Sequence, residues 1–208
     1  MERLTIQVGL YEVNCSILCE EGRAWIVDPG QEAARIIGLL TKKGVEPAAI
    51  LLTHAHFDHV GAVPGLLKTF PGIPTYIGAK DAAVLTHPMN QLPPDYPPVE
   101  KPADLRLVDS ETRLVPPNVP SGLEVIETPG HTPGGVCYYF SAAKLLLSGD
   151  TLFAGSVGRT DLPGGNMYTL VNSLKKLTTL PDDTLVIPGH GPHTTIGAEK
   201  RGNMWLRC

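Results

Sequence analysis

Apolar and polar positions alternate from Leu4 to Val8, a period of two that predicts an opening strand. Similar apolar runs predict strands at Asn14–Leu18 and Ala24–Val27 before Asp28-Pro29-Gly30 breaks the pattern. The period then lengthens. Residues Gln31–Lys43 read as an amphipathic helix with Ala34, Ile37 and Leu40 inward, stopped by Gly44. A short apolar run predicts a buried strand at Ala49–Thr53, followed by a helix over Asp58–Thr69 and a strand at Pro74–Ile77. Residues 86–104 are crowded with proline and read as a long loop, a length usually kept for function. Strands are predicted at Leu123–Glu127, Val136–Phe140 and Lys144–Ser148. A glycine-rich stretch at Gly155–Gly165 precedes a helix over Tyr168–Leu180 and a last strand at Thr184–Ile187. The pattern is that of a mixed α/β protein.

Composition narrows the function classes. A chain of 208 residues has room for one domain with a substantial core or two small ones. With 42% hydrophobic and 18% charged residues it is an ordinary globular chain, and 22 glycines with 20 prolines make it rich in turns. A net charge of −4 gives no broad attraction for nucleic acid or anionic lipid, so neither is expected as a partner. The N-terminus reads as a strand rather than a leader, and no apolar run reaches the roughly 18 residues of a membrane span. A cytoplasmic location is expected. Cys15 and Cys19, four apart in a strand, would lie about 13 Å apart, beyond disulfide reach; reduced thiols are expected, with Cys208 the most reactive.

The candidate chemistry is concentrated in Thr53-His54-Ala55-His56-Phe57-Asp58-His59-Val60-Gly61. In extended chain His54 and His56 point to one side, while Asp58 and His59 fall in the turn that opens a helix, whose positive end favours a carboxylate. Three later residues each follow a strand and a glycine: His131 in TPGH, Asp150 in SGD and His190 in PGH. Together these are seven candidate ligands: His54, His56, Asp58, His59, His131, Asp150 and His190. A catalytic zinc takes about three protein ligands and a water, so seven suit two divalent ions. Imidazole and carboxylate without thiolate suit zinc, with iron and manganese as alternatives.

The run THAHFDHVGA with His131, Asp150 and His190 resembles the metallo-β-lactamase superfamily. The blocks VDPG, TPGHTPGG, GDTLF, GRTD and PGHG are similar to those of glyoxalase II, the hydroxyacylglutathione hydrolase. The likeness extends from about Asn14 to His190. It implies a four-layer αββα sandwich and a single domain over residues 1–208, lacking the extra C-terminal helical region of glyoxalase II. It also implies one metal held by His54, His56 and His131, a second by Asp58, His59 and His190, and Asp150 as the bridge. Asp28 and His193 are candidates for supporting the ligands from behind, a simple turn-forming role being the alternative for Asp28. Arg159 in GRTD matches a basic residue that touches glutathione, an ion pair with Asp161 being the alternative role.

The expected activity is hydrolysis of a small-molecule thioester such as S-D-lactoylglutathione, with a hydroxide shared by two ions as nucleophile and Asp58 orienting it. Asp150 and Asp58 are the expected catalytic carboxylates. A persulfide dioxygenase of the same fold is the main alternative; it would use one Fe(II) on His54, His131 and Asp150, although HFDHVGA resembles the hydrolase form more. A lactonase keeps the same ligands. True β-lactamases usually lack an aspartate at the bridging position, and a non-enzymatic zinc module would close both sites with protein ligands.

Overall fold

A computed structural model describes residues 1–87, 99–112, 114, 120 and 122–206. The predicted proline-rich loop at 86–104 falls largely outside those residues, as does Cys208. The first sheet has strands β1 (Glu2–Val8), β2 (Val13–Glu20), β3 (Arg23–Val27), β4 (Glu46–Leu51), β5 (Thr75–Gly78) and β6 (Leu105–Val108), in that spatial order. It begins as an antiparallel meander and becomes parallel from β3 onward, because helix α1 (Ala33–Lys43) carries the chain back across the face between β3 and β4. The one-turn helix α2 (Phe57–Val60) and α3 (Val63–Thr69) lie between β4 and β5.

The second sheet is built from β7 (Leu123–Glu127), β8 (Val136–Phe140), β9 (Leu145–Gly149), β12 (Leu185–Pro188) and β13 (Thr194–Thr195), ordered β13-β12-β9-β8-β7. A small ribbon of β10 (Leu152–Phe153) and β11 (Ser156–Val157), helix α4 (Met167–Leu177) and helix α5 (Ile196–Gly202) complete the chain. No helix among the described residues is long and apolar enough to cross a membrane.

Three buried clusters show how the layers stack. Successive strand residues point to opposite faces, so Ile17 and Ile26 pack beneath α1 and α3 while Leu18, Trp25 and Val27 face the second sheet. In β8, Tyr138 and Phe140 join that inter-sheet layer, whereas Cys137 and Tyr139 pack toward α4. Helix, sheet, sheet and helix therefore enclose three apolar layers, the αββα arrangement. Free Cys15, Cys19 and Cys137 are all buried within them.

Several elements depart from their sequence-based expectation. Helix α1 starts at Ala33 rather than Gln31, because Glu32 has φ 61° and uses its carboxylate to accept from Gly9 N and Arg35 Nη1. Its buried stripe is Ile36 and Leu40, with Ala34 exposed, which corrects the inward set. The helix expected over Asp58–Thr69 is two pieces. Pro64 in the first turn of α3 lacks the N–H that would continue the ladder back into α2. Strand β6 and helix α5 were not anticipated.

The topology gathers the site. Strand β8 is antiparallel to β7 and β9, and β12 is parallel to β9, so β7, β9 and β12 all end at one edge. Parallel β3 and β4 end at the matching edge of the first sheet. There the sheets are laced by Val136 N donating to Thr53 O (2.8 Å) and Asn14 N donating to Gly189 O (2.8 Å). Below that edge the buried Tyr138 hydroxyl donates to Leu52 O at 2.9 Å, and burial pushes its phenol pKa well up. Tyr138→Phe should therefore cost about 1–2 kcal/mol in urea unfolding with an unchanged m-value, since a buried carbonyl loses its donor.

Candidate metal centre

The residues leaving those strand ends converge. Asp28 follows β3, His54 follows β4, His131 follows β7, Asp150 follows β9 and His190 follows β12. His56, Asp58 and His59 come from the short loop and turn after His54. Close approach is possible because two positions have no side chain. A Cβ on Gly189 would sit 2.2 Å from Asp150 Oδ1 and 2.7 Å from His59 Cε1. A Cβ on Gly149, which has φ +47°, would sit 2.3 Å from Thr53 Oγ1.

Three groups of donor atoms lie mutually within 4.8 Å: His54, His56 and His131; Asp58, His59 and His190; and His54, His59 and Asp150. The first two are the trios that the motif resemblance assigned to separate metals. Asp150 lies between them. Its Oδ1 is 3.3 Å from His59 Nε2 and its Oδ2 is 3.5 Å from His131 Nε2 and 3.7 Å from His190 Nε2. Asp58 Oδ2 is 3.3 Å from His190 Nε2.

The hydrogen bonds on the outer ring nitrogens settle which way the lone pairs face. His131 Nδ1 is 2.6 Å from Arg159 O and His190 Nδ1 is 2.8 Å from Tyr11 O, so both must donate there. Asp28 organises two more. Its carboxylate accepts from Thr53 N (2.8 Å) and Thr53 Oγ1 (2.6 Å) and lies 3.1 Å from His59 Nδ1. Having given its proton to Asp28, Thr53 Oγ1 accepts from His54 Nδ1 at 3.1 Å. With its outer nitrogen donating, each of these four rings, once neutral, turns an unprotonated Nε2 inward. The inward nitrogens crowd one another: His59 Nε2 and His190 Nε2 are 3.3 Å apart, and His56 Nδ1 is 2.9 Å from His131 Nε2 and 3.1 Å from His54 Nε2. Asp150 Oδ1 is buried with no hydrogen-bond donor of good geometry among the described residues. Lone pairs pointed at lone pairs repel unless a cation lies between them, so the donor set fits bound metal.

The electrostatics divide the cluster in two. Burial, reinforced by the surrounding imidazoles, holds His54 well below the usual histidine range and brings His56 down to about 4. Burial also opposes charge on Asp150, yet neighbouring His59 outweighs it and keeps that carboxylate ionised. Burial opposes charge on His59 and His190, but Asp150 and Asp58 outweigh it and raise both, so without metal those two rings carry protons that balance the carboxylates. A divalent ion would take the place of those protons, because neutral imidazoles and ionised carboxylates are the binding forms.

The remaining predicted residues lie outside the donor ring, and Arg159 makes the Asp161 ion pair that was its alternative role. Arg159 is on the rim, where Nε and Nη2 each donate to Asp161 at 2.7 Å; its carbonyl, not its side chain, orients His131. His193 is exposed on a separate groove with Glu12 and Arg35, away from the ligand ring nitrogens it was expected to support. Two supporting residues carry no sequence signal comparable to a histidine motif. Fully buried Asp81 accepts from Ala55 N (3.0 Å), between His54 and His56, and from Gly134 N (2.6 Å) in the His131 turn. Asn14 Nδ2 donates to Pro188 O (3.0 Å) and Gly191 O (2.9 Å), clamping both sides of His190. An asparagine inside the buried run of β2 was the one available hint.

Comparisons with known proteins agree with this geometry. A family model described as the metallo-beta-lactamase superfamily matches residues 8–190. The probable metallo-hydrolase YqgX of Bacillus subtilis is 42% identical over 204 residues, covering 96% of this chain and 94% of that protein. The hydroxyacylglutathione hydrolase GloC of Haemophilus influenzae is 35% identical over 205 residues, covering 97% and 96%. The crystal structure of the B3 metallo-beta-lactamase BLEG-1 is similar with a TM-score of 0.91 and 40% identity, covering 100% of both chains. That of TTHA1623, in a di-iron-bound form, gives a TM-score of 0.86 and 37% identity, covering 98% of this chain and 100% of that one.

Asp28→Asn and Asp81→Asn should each weaken metal retention by about 10- to 100-fold, measured by competition with a chelator on protein whose melting confirms folding. Retention equal to the unmodified chain would remove that residue from the supporting ring.

Proposed function

The chain belongs to the metallo-beta-lactamase superfamily, and from that premise we propose that it is a two-metal hydrolase that drives water into a thioester carbonyl. The observation that carries this reading is the pair of donor trios, with Asp150 between them, at the floor of an open cavity of about 630 Å³. His54, His56 and His131 would hold one ion, Asp58, His59 and His190 the other, with Asp150 between them. Zinc fits these donors, and so does iron, the metal in the TTHA1623 structure. When bound, two such ions supply an acidified water and a Lewis acid for the carbonyl.

The chain's own residues supply position and charge. His56, Asp58, His131, Asp150 and His190 all face the cavity, so a carbonyl entering it meets both halves of the centre at once. Burial opposes the charge on Asp58, but His59 and His190 outweigh it and hold its pKa down. An ionised Asp58 can orient a water and accept its proton. Among the described residues no thiol nucleophile competes for this role: Cys15, Cys19 and Cys137 are buried in the core, and burial pushes the Cys137 thiol up to about 11. A thiolate leaving group needs little protonation near neutral pH, because an ordinary thiol pKa is about 8.5. That favours thioesters over amides.

A hydroxyacylglutathione is the first substrate to test, given the 35% identity to GloC and the matching sequence blocks. In this reading the chain works as one domain on a small molecule in the cytoplasm, without nucleic acid or membrane. The 40% identity to BLEG-1 favours one second assay, β-lactam opening.

Protein purified without added metal should carry close to two ions per chain and release thiol from S-D-lactoylglutathione. Asp150→Ala should lose at least one ion and most of that activity. A single iron per chain, no thioester cleavage and oxygen uptake on a persulfide would replace this reading with the dioxygenase; β-lactam turnover without thioester turnover would replace it with a lactamase.

A further inference from the structure

The walls of the cavity are unlike its floor. Above the metal donors, Tyr11, Phe57, Val84, Phe153, Val157 and Leu162 line most of the space. The Tyr11 and Phe57 rings meet edge to face with centroids 5.4 Å apart, and Phe153 stands edge-on to the His190 ring at 6.3 Å. Tyr11 and Val84 remain 45% and 36% exposed at the mouth, and Leu10, beside Tyr11, is 77% exposed. The fold leaves this apolar surface in water next to a polar centre, as ligand pockets do.

Charge gives the complementary constraint. Among the described lining residues, the one charged side chain outside the metal donor set is Arg159. Its guanidinium already donates to both Asp161 oxygens. An incoming carboxylate therefore meets a neutralised pair rather than an unopposed cation.

We propose that this site selects thioesters whose acyl half is a hydrocarbon group, linear or aryl, over those with a small hydroxylated acyl group. The proposal rests on the thioesterase reading and specifies its substrate class. The thiol half of common carriers places a polar amide a few bonds from sulfur, so the half of a thioester able to fill an apolar wall touching the donors is the acyl half. Phe57 adjoins His56 in sequence and Phe153 packs on His190, so hydrocarbon next to the carbonyl is what the walls accommodate.

The test is steady-state hydrolysis by the metal-loaded protein of N-acetylcysteamine thioesters carrying acetyl, butanoyl, hexanoyl, octanoyl, phenylacetyl and D-lactoyl groups. Burial of each methylene should raise kcat/KM by about two- to fourfold until the cavity is filled, with hexanoyl above D-lactoyl. Leu162→Gln and Val84→Gln should each cut the hexanoyl-to-acetyl ratio at least fivefold. Calorimetric titration of the metal-loaded protein adds a readout free of turnover: hexanoate should bind at least tenfold tighter than acetate. A flat or falling chain-length series, or D-lactoyl above hexanoyl, would overturn the proposal while leaving thioester hydrolysis standing. If no thioester were cleaved, the thioesterase reading would fail by itself, and equal binding of hexanoate and acetate would then overturn the apolar subsite as well.

Discussion

Five imidazoles and two carboxylates crowd their nitrogen and oxygen atoms into one small volume, and most of the structure around them serves to hold that arrangement in place. Side chains free to rotate would turn these groups toward water. Here the outer nitrogens of four rings are fixed by Thr53, Asp28 and the carbonyls of Arg159 and Tyr11. Thr53 and Asp28 are themselves tied together by two hydrogen bonds. The centre is preorganised for cations because the scaffold, rather than the ligands, bears the cost of their mutual repulsion.

The four-layer fold is suited to this. Its middle layer, packed with Leu18, Trp25, Tyr138, Phe140 and Leu147, locks the two sheets in register. The sheet edges that meet above that layer deliver strand ends from both sheets to one place. Backbone hydrogen bonds from Val136 to Thr53 and from Asn14 to Gly189 stitch the edges together. Moving one sheet relative to the other would separate His54 and His56 from His131, and His59 from His190. Core packing and metal geometry are thus one mechanical problem, and Asp81 and Asn14 belong to the solution although neither lines the cavity as a donor.

Division of labour follows from the same geometry. The floor of the cavity gathers the polar donors, while most of its wall is apolar. Arg159 illustrates the separation: its main chain orients His131, and its side chain is spent on Asp161 at the rim. The ion pair is one of the two roles its sequence context offered; the carbonyl contact was legible only in the fold.

The sequence by itself determined the alternation that assigns most strands, the helix periods, and the donor set, because each depends on residue type and short-range spacing. His54, His56, Asp58 and His59 are legible within six positions, and His131, Asp150 and His190 each follow a strand and a glycine. Only the tertiary structure decided that Asp28 lies against His59, that Asp81 and Asn14 clamp the ligand loops, and that His193 points into a separate groove. It also decided the helix break at Pro64 and the buried stripe of α1, where Glu32 and the sheet beneath override simple periodicity. Ligand identity is local chemistry written in the side chains. The supporting contacts join residues 25 to 177 positions apart, and their pairing exists only once parallel strands bring distant loops to a common edge.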